Sequence, residues 1–253
     1  MLVVIKIGSN ILTTPGNDLD LNNLRNLCDQ IAGLRRKGMQ VVVVTSGAIV
    51  CGSERLGIKA SSIPEKQAAA AVGQSLLVNE YNNFLEPHKI TVAQVLLTKD
   101  GVTEGARKKN VQNTLKTIIK LGAVPIINEN DTVSTDEIRF GDNDMLSAIV
   151  AKLVGADRLV ILTDIDGLHT ANPRTHKDTK LIANVPKVTK EIEGLACGKG
   201  SGKAVGGMIT KIAAAKIATK AGIETVIANG RASDVLLRLL VKQEKLGTKF
   251  QSK

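Results

Sequence analysis

Apolar residues fall into two kinds of run along this chain, and the two alternate. Leu2–Ile7, Val41–Val44, Thr91–Leu97, Val124–Ile127, Arg158–Leu162 and Glu224–Ala228 are short and rich in branched aliphatics, with the length of buried strands. Between them lie stretches with helical spacing: Leu21–Arg36, a pattern from Pro64 through Gln67, Ala71, Leu76 and Phe84, and Thr103–Leu121. A further helix runs to Leu153, with Asp142-Asn143-Asp144 supplying its caps. Pro64 suits a first helical turn. Near-continuous aliphatic strands separated by helices predict a mostly parallel sheet covered on both faces, which is an α/β three-layer sandwich. No linker, low-complexity segment or clear repeat interrupts the pattern, so residues 1–253 read as one domain. Glycine-rich Cys197–Lys203 reads as a loop rather than a domain boundary.

The last long helix starts unusually. Gly206-Gly207-Met208-Ile209-Thr210-Lys211 runs straight into Ile212-Ala213-Ala214-Ala215-Lys216. A helix start carries roughly half a positive charge and favours Asp or Glu, so a lysine there is out of place unless an anion joins it. Lys216 and Lys220 share one face, whereas Lys211 lies about 140° away at about 100° per residue. Lys211 instead heads a stripe of Ala214, Ala215 and Ala218, small enough for close packing. The alternative is a lysine snorkelling from the edge of a buried helix.

Composition narrows the function classes. Apolar residues make up 43% and charged residues 23% of 253 positions, as in ordinary globular proteins. No apolar run approaches the length of a membrane span, and the N-terminus lacks the basic and cleavage segments of a signal peptide. Cys28, Cys51 and Cys197 are widely spaced and odd in number, which points to a reducing, cytoplasmic setting. His88, His169 and His176 lack metal-ligand spacing, so no metal site is expected. The formal charge of +10 raises nucleic acid as a partner, but aromatic content of 2% argues against base stacking. Arg107-Lys108-Lys109, the densest basic cluster, reads as a solvated helix face.

Polar residues collect where the strands end. Lys6 stands within an apolar strand just ahead of Gly8, where burial is costly unless the charge is paired. Val44 is followed by Thr45-Ser46-Gly47-Ala48, Ile127 by Asn128-Glu129-Asn130-Asp131, and Leu162 by Thr163-Asp164. In open α/β sheets ligands bind outside the carboxyl ends of the strands. Each of these residues alone could be a cap or turn. Two familiar signatures fail. Gly200-Ser201-Gly202-Lys203 approaches a phosphate loop, but Ala204 replaces its Ser or Thr and Cys197 its first glycine. Gly8-Ser9-Asn10 has one glycine of the three in a dinucleotide fingerprint. In Gly141-Asp142-Asn143-Asp144 one residue can cap the helix, and a second carboxylate could hold a lysine in position.

Together these segments resemble the amino acid kinase family. The resemblance rests on Val4–Ser9, Val44–Ile49, Ala70-Ala71-Val72-Gly73-Gln74, Val124–Asp131, Gly141–Asp144, Leu162–Asp164 and Gly206–Lys211, in the family's order over nearly the whole chain. Within the family, Ser9 after Gly8 and Ser46 before Gly47 resemble the branch that phosphorylates the γ-carboxylate of L-glutamate with ATP, the first step towards proline. The resemblance implies catalytic roles for Lys6, Lys211 and Asp144, and glutamate contacts from Ser46, Asp131, Asn143 and Asn128. It implies nucleotide contacts from Lys6, Gly8, Ser9, Thr163, Asp164, Val205, Gly206, Gly207, Met208, Ile209, Thr210 and Lys211. Magnesium held mainly by ATP's phosphates, a cytoplasmic homo-oligomer and no membrane partner are likewise implied.

Three departures qualify the match. Ala204-Val205 stands where the family commonly has Gly-Thr, and His169 where a Tyr is common, a change expected to affect packing only. The chain also ends at Lys253, ahead of the PUA domain that many members carry, so no such domain is expected. Two other readings stand beside this one: a kinase of the same fold acting on another carboxylate or a phosphate, and, more remotely, a nucleic-acid-binding module.

Overall fold

The computed structural model describes residues 1–103, 105–133, 143–176, 178–197 and 207–252. Gly141, Asp142, Val205 and Gly206, with the Gly200–Lys203 segment and Ala204, lie outside the described residues. In chain order the elements are β1 (Leu2–Ile7), α1 (Ser9–Leu12), α2 (Leu21–Arg36), β2 (Gln40–Thr45), α3 (Ala48–Leu56), α4 (Ile63–Leu85), β3 (Val92–Leu97), α5 (Lys99–Thr103) and α6 (Gly105–Lys120). Then come β4 (Val124–Glu129), α7 (Asn143–Val154), β5 (Arg158–Thr163), β6 (Asn184–Val185), α8 (Lys190–Cys197), α9 (Met208–Lys220), β7 (Glu224–Asn229), α10 (Val235–Leu240) and β8 (Thr248–Phe250).

The strands form one sheet of eight, ordered β3-β4-β2-β1-β5-β7-β8-β6. Every pairing is parallel except β7 with β8. β1 lies centrally between β2 and β5, so the chain moves to one side of it and later returns to the other. That reversal leaves a crevice at the carboxyl ends of β1, β2 and β5, the usual ligand site of such sheets.

Strand alternation sorts the core into two layers. Val3, Ile5 and Ile7 of β1, with Val41, Val43, Val160 and Leu162, pack beneath α2, α4 and α10. Val4, Val42, Val44, Leu159 and Ile161 face the opposite layer with α6, α7 and α9. The period of two places Lys6 on that second face, with Val4. The expected sandwich is thus present. So is the helix opened by Pro64, held by a capping box in which Ser62 Oγ accepts the Glu65 N–H at 3.4 Å and Glu65 Oε2 accepts the Ser62 N–H at 2.9 Å.

Seven short elements are not anticipated from the sequence: α1, α3, α5, α8, α10, β6 and β8. β8 adds an antiparallel margin to the sheet and pairs in turn with β6. Five of the seven, α1, α5, α10, β6 and β8, have two to six residues and complete less than two helical turns or strand periods, so tertiary contact rather than periodicity defines them. No helix among the described residues is long and apolar enough to cross a membrane.

Candidate active site

Three charged side chains meet beneath the strand ends. Asp144, in the first turn of α7, has no exposed surface, and Lys6 and Lys211 are 5% and 7% exposed. Lys6 Nζ lies 2.7 Å from Asp144 Oδ1, an ion pair rather than a well-angled hydrogen bond. Lys211 Nζ donates to Asp144 Oδ2 at 3.0 Å, and Thr210 Oγ1 donates to the same oxygen at 3.0 Å. Thus one carboxylate spans two ammonium groups, and these three side chains together carry one net positive charge. Burial of that charge is tolerable only because the groups neutralise one another in part. The awkward lysine near the start of α9 is explained: its counter-charge comes from α7, which packs against α9.

Sequence dictates each position. Lys6 reaches the α7 side by strand alternation. Lys211 is carried on a face whose Ala214, Ala215 and Ala218 are fully buried, so α9 sits close to its neighbours. Lys220 is exposed, while Lys216 is half-buried beside Glu193 of α8. Gly8 adds bare backbone: a Cβ there would come within 3.4 Å of Lys6 Nζ and 3.3 Å of the Leu162 carbonyl.

Among the described residues two clefts adjoin this triad, one lined by Lys211 and one by Asn143, the residue before Asp144. The first, about 340 Å³, is walled by Thr163, Asp164, His169, Arg174, Gly207, Met208 and Lys211 among others. Thr163 Oγ1 donates to Asp164 Oδ1 at 3.3 Å, and Asn10 Nδ2 to Asp164 Oδ2 at 3.1 Å. Arg174 forms an ion pair with the same carboxylate. Burial pulls the Asp164 carboxyl upward, but Asn10, Arg174 and Thr163 outweigh it and hold the group below the usual carboxylate range. His169 stands in the cleft wall, its Nδ1 bonded to the Gly167 carbonyl at 3.1 Å, so its position goes beyond packing.

The second cleft, about 270 Å³, is lined by Ser9, Ser46, Gly47, Asn128, Glu129, Asp131 and Asn143 among others. Asn143 Nδ2 reaches the Thr45 carbonyl at 2.9 Å, Ser46 Oγ at 3.0 Å and Asn128 Oδ1 at 2.9 Å. Burial pushes the Asp131 carboxyl up to about 6.

The four residues expected to contact glutamate, Ser46, Asn128, Asp131 and Asn143, are therefore brought together. Thr163, Asp164, Gly207, Met208 and Lys211 share the first cleft. Thr210 faces Asp144, and Ile209 lies beside it in the first turn of α9. Ser9, expected on the nucleotide side, lines the second cleft instead. Sequence reasoning missed Asn10, Arg174 and Gln74. Asn10 lies two residues past Gly8, and Arg174 follows the Asn172-Pro173 turn. Gln74, in an alanine-rich stretch of α4, accepts from Asn128 Nδ2 at 2.8 Å, and its own amide nitrogen, Nε2, has no hydrogen-bond partner among the described residues.

Comparisons with known proteins agree with this geometry. The model of the amino acid kinase family matches residues 1–229. The chain is 49% identical over 250 residues to a protein of Geobacter sulfurreducens named glutamate 5-kinase, covering 98% of this chain and 67% of that protein. A protein of the same name from Dehalococcoides mccartyi is 45% identical over 253 residues, with 98% and 68% covered. The chain thus spans about two thirds of these relatives' length. Among solved structures, a UMP kinase from Bacillus anthracis superposes with a TM-score of 0.68 at 15% identity, covering 100% of this chain and 96% of that one. An isopentenyl phosphate kinase gives 0.63 at 16% identity, with 99% and 100% covered. At such identities the two structures speak for the fold alone.

Proposed function

The chain belongs to the amino acid kinase family, and on that premise we propose that it acts as a glutamate 5-kinase, moving the γ-phosphoryl group of ATP onto the γ-carboxylate of L-glutamate. The observation that carries this reading is Asp144 held between Lys6 and Lys211, with two adjoining clefts. ATP occupies the first cleft and glutamate the second, so the transferring group passes over the triad.

Phosphoryl transfer asks for in-line placement and charge neutralisation rather than covalent help. A γ-carboxylate oxygen attacks the γ-phosphorus while the bond to the bridging oxygen of ADP breaks. The acceptor is already ionised at neutral pH, so no general base is required. Lys6 and Lys211 neutralise the equatorial oxygens, and Asp144 keeps the two ammonium groups aligned and lessens their repulsion. Among the described residues no three His, Cys, Asp or Glu side chains gather as a metal site. Magnesium held by ATP's own phosphates would add positive charge to the transferring group. In the second cleft Asp131 and Asn143 would receive the substrate's ammonium group.

The product is an acyl phosphate, consumed on the way to proline. The test is ADP release dependent on L-glutamate, with hydroxylamine trapping the acyl phosphate as a hydroxamate. A panel of other carboxylates and phosphates should give much slower release. Absence of trapped hydroxamate with L-glutamate refutes the proposal.

A further inference from the structure

The amide side chains under the second cleft have only one consistent orientation. The Glu129 backbone N–H donates to Asn128 Oδ1 at 2.9 Å, and a backbone N–H can only donate. That fixes Asn128 with its oxygen towards Asn143 and its nitrogen towards Gln74. At the other end the Thr45 carbonyl, which can only accept, takes a bond from Asn143 Nδ2 at 2.9 Å. Asn143 must then turn Oδ1 away from the strand ends. The polarity runs Asn143 to Asn128 to Gln74, and Gln74 closes it by accepting from Asn128 Nδ2 at 2.8 Å.

Within this amide relay two buried atoms have no hydrogen-bond partner among the described residues: Asn143 Oδ1 and Gln74 Nε2. Asn143 stands in the cleft wall, so its unmatched acceptor calls for a ligand that brings a donor. Gln74 is 6% exposed and Asn128 1% exposed, so neither relies on solvent for its hydrogen bonds.

We infer that Gln74 is a positioning residue for acceptor specificity: by accepting from Asn128 it locks the relay that presents Asn143 Oδ1 to the ammonium group of an amino dicarboxylate. The inference rests on the reading of this cleft as the acceptor site. Without Gln74 Oε1, the Asn128 amide group faces an apolar neighbour with a buried donor unmatched. The Glu129 N–H and the Thr45 carbonyl still hold both amides in the same sense, so Asn128 does not reverse but loses its anchor on α4, and Asn143, bonded to Asn128 Oδ1, is placed less firmly against the ligand's ammonium. A site built around one hydrogen-bonding group rejects ligands lacking that group, so loosening of that group appears as loss of discrimination.

The experiment compares L-glutamate with glutarate, which has both carboxylates and no amine, as acceptors for the full chain. Wild type should favour L-glutamate by about a hundredfold or more in kcat/KM. Gln74→Met should lower that ratio about tenfold, through a raised KM for L-glutamate, with KM for ATP unchanged. Gln74→Glu keeps an accepting oxygen facing Asn128 and should hold the ratio or raise it. An unchanged ratio in Gln74→Met, or a fall in Gln74→Glu, overturns the inference. Should Gln74→Met fail to fold, the sign of the Gln74→Glu effect decides alone. Asn143→Ala separates the two layers of argument. If it too leaves the ratio unchanged, the cleft is not the acceptor site. If it collapses the ratio while Gln74→Met does not, only the role of Gln74 is refuted.

Discussion

Replacing Lys211 and replacing Asp144 should have opposite balances of activity and stability. In Lys211→Ala the carboxylate of Asp144 keeps Lys6 at 2.7 Å and the Thr210 hydroxyl at 3.0 Å, so no buried charge is stranded. The loss is mainly the packing of one aliphatic stem, about 1–2 kcal/mol. At about 2–4 °C per kcal/mol for a chain of this size, the melting point falls by about 2–8 °C. Turnover loses a cation beside the transferring group, and removal of one such electrostatic partner costs about 10²–10³ in kcat. Asp144→Asn inverts the pattern. It leaves two ammonium groups, 5% and 7% exposed, without their shared carboxylate. Each lost attraction is of order 4 kcal/mol at an effective dielectric of about 20, and breaking a buried pair typically costs about 3–5 kcal/mol net. The melting point should therefore fall by about 6–20 °C, and ATP should restore more of it than it adds to wild type. Dye-monitored melting with and without ATP gives the stability arm, and hydroxamate formation gives the activity arm. The reasoning fails if Lys211→Ala melts as low as Asp144→Asn while keeping more than about a tenth of wild-type turnover.

Three further outcomes follow from particular contacts. A Cβ at Gly73 would lie 1.8 Å from the Ala48 carbonyl, so Gly73→Ala must part α3 from α4; we expect a loss above about 3 kcal/mol by denaturant titration. Asp131→Asn should stabilise the free protein while raising KM for L-glutamate. Its folded carboxyl titrates near 6 against 3.8 unfolded, so the folded state binds more protons and stability falls as pH rises between those values. At pH 7 the cost reaches at most about 3 kcal/mol; melting curves of the two proteins should converge near pH 4 and separate above pH 6. Arg231 donates to Asp20 Oδ2 at 2.8 Å and to the carbonyls of Asn10 and Thr13 at 3.1 and 2.7 Å, tying down the turn after Gly8. Arg231→Ala should raise KM for ATP several-fold in initial-rate measurements and leave KM for L-glutamate nearly unchanged.

Much of this architecture was legible before any coordinates. Runs such as Val41–Val44 read as buried strands and are so, and Leu21–Arg36 appears with the boundaries its periodicity suggested. Lys6 and Lys211 stood out because each broke a local rule, one within an apolar strand and one near a helix start. Functional residues are legible when they cost local stability. Asn10, Arg174 and Gln74 were illegible for the converse reason. An asparagine or arginine in a turn is ordinary, and a glutamine within the alanine-rich α4 breaks no helical preference. The importance of Gln74 comes from burial beside Asn128, 54 positions away, which no local pattern encodes. Ser9 shows the same limit. Its neighbour Gly8 abuts Lys6, yet a turn of one residue carries the side chain into the other cleft.

The position of Asp144 also accounts for why two lysines can be held ready without substrate. Two ammonium groups converging on one site repel, and exposed lysines would relieve this by swinging into water. Here that escape is closed by different elements. Lys6 projects from β1, which is hydrogen-bonded on both sides, and Lys211 from α9, whose alanine face packs in the core. Neither stem can retreat without opening a buried layer, so the repulsion has to be neutralised in place. A carboxylate between them does so without consuming all the positive charge, since two cations and one anion leave a single unit. On the proposed reading that remaining charge would meet the incoming phosphates, while the carboxylate at the start of α7 is itself favoured by the helix end. A second carboxylate within the triad would cancel the attraction for ATP, and none at all would drive the lysines apart. The count of charges, as much as their spacing, makes the site suited to a transferring phosphoryl group.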